Sequence, residues 1–149
     1  MGRTSLNWIF ALVGLSGMAM TDENFSVVAD AIPESLTKVV ASAERGREIF
    51  VQRDGGHCVL CHQVAGLEAA FQGNVGPDLS GIGSRYDPGQ LRLRIVDASQ
   101  LNAQTIMPPY YRTQGLHRVA ARYQGTTALS AEQIEHLVAY LAQLRSNDS

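Results

Sequence analysis

The sequence has 149 residues, 45% of them apolar and 17% charged, with a formal net charge of −2. That is enough chain for one domain; it is neither charged enough for a disordered tail nor basic enough for a nucleic-acid binder working through bulk charge. Every basic residue is Arg except Lys38, and Arg is the cation suited to partial burial and to planar anions.

Arg3 precedes an apolar run from Leu6 to Met20. The run has the length of a signal-peptide core and is short for a membrane span. Gly17-Met18-Ala19 and Ala29-Asp30-Ala31 both offer a small-x-small cleavage site. Residues 1–31 are therefore expected to be a signal peptide and linker, cut near 19 or near 31, with Thr21 to Ile32 as linker. The expected product is an exported, periplasmic domain over residues 35–145 with no membrane span.

From Ser35 the spacing of Leu36, Val39, Val40, Ile49 and Phe50 predicts a helical segment that ends at Asp54-Gly55-Gly56. Gly46 lies inside it, where glycine is unfavourable by roughly 1 kcal/mol relative to Ala but lets another backbone come close. Gly73 to Ser84 is rich in glycine and reads as a loop. Asp87-Pro88 predicts a second helix, Asp as its N-cap and Pro in its first turn, running through Leu91, Leu93, Ile95 and Val96. Asn102 to Ala128 shows no firm pattern; loops of that length in compact domains are usually functional or disordered. Ser130 and Gln133 have capping-box spacing, and Ile134, Leu137, Val138, Leu141 and Leu144 form one stripe of a third helix. No run alternates as a strand would. The expected class is a small all-α domain with long loops.

Both cysteines of the chain fall in Gly56–Val64, "GHCVLCHQV", as Cys58 and Cys61, and His62 follows at once. A zinc site would need a second closely spaced ligand pair, and His117 and His136 are too far apart in sequence to form one. A thioredoxin-type dithiol belongs at a strand–helix junction, and no such pattern is present. A disulfide between residues three apart would be strained and close almost nothing. C-x-x-C-H is the attachment signature of haem c. Within one turn, two thiols can reach two vinyl groups while the next imidazole meets the iron. Cys58 and Cys61 are thus the expected covalent anchors of one haem c, and His62 the expected axial ligand.

The opposite ligand is usually Met or His. Met107 is the one methionine downstream of the motif, in "TIMPPYY", where Pro108 and Pro109 stiffen the backbone. His117 and His136 are its rivals, and core filling is the alternative role for Met107. Six arginines lie between Arg85 and Arg122, with Asp87 and Asp97 the only acids in that span. They suggest a docking face, with Arg92, Arg94, Arg112 and Arg118 as partner-binding candidates, or a solvated surface with a few ion pairs. Tyr110, Tyr111 and Tyr123 are packing or interface residues on this reading.

At these residues the chain resembles the class I cytochrome c family. Gly46 and Phe50 look like the family's N-terminal helix contact, and Tyr140 like its partner on the C-terminal helix. Gly76-Pro77-Asp78-Leu79 resembles the family's G-P-x-L loop, which implies that the Pro77 carbonyl accepts a hydrogen bond from His62. "GNVGPDLSGIGSRY", "QLRLRIVD", "TIMPPYYR" and "GLHRVAARYQG" together resemble the SoxX subunits of SoxAX cytochromes. That resemblance implies a small helical domain wrapped around one covalent haem, paired with a SoxA-like cytochrome subunit. It also implies a complex that oxidatively couples thiosulfate to a cysteine of a SoxYZ-like carrier protein, and a downstream electron acceptor. No catalytic residue is expected here, because a third cysteine to act as nucleophile is lacking. A free-standing monohaem carrier serving a terminal oxidase is the alternative.

Overall fold

The computed structural model describes residues 25–146; the expected leader and the cleavage site near 19 lie outside them. The described part is helical: α1 (Ala43–Val51), a short α2 (Ile82–Arg85), α3 (Pro88–Asp97) and α4 (Ala131–Gln143), joined by long loops. Apart from one isolated bridge between Val28 and Ala31, no strand pairing occurs among the described residues. No helix among them is long and apolar enough to cross a membrane.

The helix ends follow local chemistry. Asp87 accepts from the Gln90 backbone N–H while the Gln90 side chain returns to Asp87, and Ser130 and Gln133 do the same at α4. Each box satisfies donors that the first helical turn leaves without partners. α1 starts later than the spacing predicts. Ser42 caps it by accepting from the Arg45 N–H, and residues 35–41 are irregular, with bends at Leu36, Lys38 and Val39 and with Val40 89% exposed. Leu36, Val39 and Val40 mimic helical spacing without sharing a buried face. The Gly73–Ser84 loop also closes differently from expectation, because its last residues begin α2.

α1 and α4 cross at Gly46. A Cβ there would stand 1.9 Å from the His136 carbonyl oxygen and 2.8 Å from Tyr140 Cβ, so hydrogen alone fits. One turn on, the fully buried Phe50 ring meets the Tyr140 ring edge-on at 5.5 Å, a favoured aromatic geometry. His136 is buried, and its Nδ1 accepts from the Ser42 N–H at 2.9 Å, fixing the entry to α1.

Residues 25–32, the described part of the expected linker, pack against the domain. Ile32 is fully buried and its N–H donates to the Gly89 carbonyl at 3.0 Å. Asp30 accepts from Gln90 Nε2 at 2.8 Å, and Phe25 packs against Tyr111 with ring centroids 6.2 Å apart. The segment is a strap across α3 and part of the fold, so Ala29-Asp30-Ala31 is structured surface.

Arg92 is the main departure from the sequence expectation. It is 5% exposed, inside the molecule, and does not belong to a docking face. Its Nε and Nη2 donate to both Glu135 oxygens at 2.7 and 2.8 Å, and Nη1 donates to the Ile32 carbonyl at 2.6 Å. Glu135 also accepts from the Leu36 N–H at 3.0 Å. One buried ion pair thereby ties strap, α3 and α4 together. Burial alone would raise the Glu135 carboxyl, but the Arg92 and Leu36 hydrogen bonds and the Arg92 charge hold it below the usual carboxylate range.

Candidate haem-binding site

The turn after α1 carries the cysteines. His57 adopts left-handed backbone (φ 46°) and Cys58–Leu60 form one 3₁₀ turn. The Cys61 and His62 N–H groups both donate to the Cys58 carbonyl, at 3.1 and 2.9 Å. That places Cys58, Cys61 and His62 on the wall of one cavity of about 470 Å³, and Met107 lines the same cavity. Phe50, Leu91, Ile95, Leu137 and Leu141 supply apolar wall from three helices.

The His62 ring is held on one side. Its Nδ1 donates to the Pro77 carbonyl at 2.8 Å, which leaves Nε2 free for a metal, as a ligating imidazole requires. Gly76 lies flat against the ring: a Cβ there would sit 2.4–2.9 Å from three of its atoms. The Gly76 N–H donates to the Cys61 carbonyl at 2.7 Å, fastening this loop to the cysteine turn. Leu79 closes the loop from below, buried, with its N–H on the Gln63 carbonyl at 2.9 Å.

The Met107 side of the cavity is a loop pinned to the end of α3. The Tyr110 and Tyr111 N–H groups donate to the Ile95 and Val96 carbonyls, and the Met107 N–H to Thr105 Oγ1 at 3.2 Å. Arg112 Nη1 reaches the buried Asp97 carboxylate at 2.8 Å and Ser99 Oγ at 3.0 Å, so this arginine anchors the loop. His117 is exposed and outside the cavity lining, and His136 faces α1.

Among the arginines read as a docking set, Arg94 borders the cavity. Its guanidinium stacks 3.8 Å above the Tyr86 ring and lies 3.6 Å from Asp30. Arg118 is exposed on the long loop, with left-handed backbone (φ 57°). Val75 and Ile106, 65% and 80% exposed, stand at the cavity mouth. Sequence reasoning missed these two and the cavity role of Tyr110; the apolar residues beside glycine and proline in both loops were the available signal.

The chemistry of the donors fits a covalent haem better than a redox dithiol. Burial pushes the Cys58 thiol up to about 12, whereas reactive dithiols have lowered values. No group of three or more His, Cys, Asp or Glu that could hold a bare metal ion occurs among the described residues. Two thiols, one oriented imidazole, one thioether and apolar walls instead suit a flat macrocycle with an iron at its centre.

Comparison with known proteins agrees. The cytochrome c family model matches residues 43–145. The crystal structure of SoxXA from P. pantotrophus contains a chain 32% identical to this one, with a TM-score of 0.75 over 82% of this chain and 95% of that one. Comparison with curated proteins returns no match.

Proposed function

The chain belongs to the cytochrome c family as a SoxX-like member carrying covalent haem c, and from that premise we propose that it is the electron-accepting subunit of a SoxAX-like complex. The observation that carries the reading is the meeting of Cys58, Cys61, His62 and Met107 on one apolar cavity, in a chain 32% identical to one of a SoxXA structure. Cys58 and Cys61 would hold the haem through thioethers, and His62 and Met107 would be the side chains that ligate its iron. The haem supplies one-electron redox chemistry.

The residues around the site serve that role. Pro77 fixes the His62 ring and its tautomer. The apolar walls limit water at the site, and with His62 and Met107 both ligating, the iron would serve electron transfer and not substrate binding. Arg94, at the cavity border, is suited to the carboxylates at a haem's edge. The partner is a SoxA-like cytochrome subunit, which brings the nucleophile, since both cysteines of this chain lie in the haem motif. Arg94, Arg112 and Arg118 remain proposed partner-face residues, joined by Val75 and Ile106 at the cavity mouth; charge at such a rim mainly steers encounter. The complex oxidatively couples thiosulfate to a cysteine of a SoxYZ-like carrier, in the periplasm, and electrons leave through this haem to a downstream acceptor.

The test is reduction of this haem in the assembled system. Thiosulfate should reduce it when the SoxA-like subunit and the carrier are both present, and not when either is omitted. Reduction by thiosulfate with this chain alone would overturn the proposed division of labour.

A further inference from the structure

One hydrogen bond joins the two sides of the cavity. Tyr110 Oη donates to the Gly56 carbonyl at 2.8 Å. Gly56 is buried two residues before Cys58, and its own N–H is fixed to the Ile49 carbonyl of α1 at 3.1 Å. Tyr110 follows Met107 by three residues, with the stiff Pro108-Pro109 pair between them. Its N–H is held by the Ile95 carbonyl of α3, and its carbonyl accepts from the Leu129 N–H at 3.0 Å. Among the described residues no other hydrogen bond links the loop around Met107 to the cysteine turn.

We propose that Tyr110 is a positioning residue that holds Met107 over the cavity by clamping its loop to the cysteine turn. The inference rests on the reading of Met107 as the sulfur ligand. For an exogenous base to displace Met107, the loop must move away from the cavity. Because the phenol is bonded to the Gly56 carbonyl, that opening has to break the bond and leave a buried acceptor unsatisfied. Burial raises the Tyr110 phenol above its usual range, so the group stays protonated and remains a donor.

The test is imidazole binding to the ferric haem protein, in the parent and in Tyr110→Phe, which keeps the ring and deletes the donor. Imidazole should bind the variant about fivefold more tightly, the effect of one hydrogen bond of ordinary net strength. In a Met107→Ala background, where no sulfur has to be displaced, the same Tyr110 change should alter imidazole affinity less than twofold. A purely structural tyrosine would lower the unfolding midpoint and leave imidazole affinity alone, and that outcome overturns the proposal. So does a gain that persists undiminished without Met107. If Met107→Ala itself leaves imidazole affinity unchanged, Met107 is not the ligand, and the failure lies in the underlying reading.

Discussion

Arg92→Met should lower the unfolding free energy of the haem protein by about 3–5 kcal/mol, the usual result of removing one partner from a buried ion pair. The variant leaves the Glu135 carboxylate, 5% exposed, with the Leu36 N–H as its main remaining donor. It also strips the Ile32 carbonyl of the Arg92 Nη1 donor. Adding Glu135→Leu should restore part of the loss, because an apolar pair of similar volume is often tolerated where a lone charge is not. The restoration stays partial, since the Ile32 and Leu36 backbone groups still lack side-chain partners. The pair also predicts an acid-labile component of stability. The folded Glu135 value lies below its ordinary 4.5, so its contribution is complete above that pH. It is lost as pH falls through the lower, folded value. Denaturation followed by helix signal between pH 7 and pH 3 should show this decline in the parent and a weaker one in Arg92→Met. Equal stability of the two at neutral pH would mean that the pair is not the tie between strap and helices.

Gly76→Ala should damage the site without a comparable loss of fold. The added Cβ overlaps the His62 ring at 2.4–2.9 Å, and backbone retreat is opposed by the 2.7 Å bond to the Cys61 carbonyl. The imidazole must turn, which breaks its bond to Pro77. Lost orientation of this kind typically costs 10–100-fold in metal affinity or activity. The expected outcome is a sharp fall in correctly ligated haem protein, read as a shift from a low-spin to a high-spin ferric spectrum. Gly66→Ala is the contrasting change, because a Cβ there meets nothing within 4 Å. Its backbone strain (φ 73°) falls on a turn away from His62. A Gly76→Ala spectrum identical to the parent would show that the loop does not bear on the ring.

Where the sequence could be read, the signals were local. Asp87, Pro88, Ser130 and Gln133 mark helix starts because their side chains bond backbone groups within one turn. Cys58, Cys61, His62 and the Gly76–Leu79 stretch were visible as patterns of residue type. The misreadings needed tertiary knowledge. Leu36, Val39 and Val40 have helical spacing, but Val40 faces solvent and the helix waits for its Ser42 cap. Arg92 looked like one of a surface set, yet it sits among Leu91, Leu93, Ile95 and Val96, all buried. An arginine inside so apolar a run was the sign of an interior partner, and Glu135 lies 43 residues away on another helix. The sequence does not distinguish packing from interface for Tyr110, because its partner is the backbone carbonyl of Gly56, 54 residues distant.

The assignment of Met107 and His62 as the two side chains that would ligate one haem c is tested most directly by the ferric absorption spectrum of Met107→Ala beside the parent. Met107 shares the cavity with His62, while His117 is exposed on its loop. The parent should show the weak red sulfur-to-iron band. The variant should lack it and have a lower reduction potential, because Met ligation raises the potential. A band that survives the substitution, or a parent that never shows one, would contradict the assignment and place another side chain on the iron.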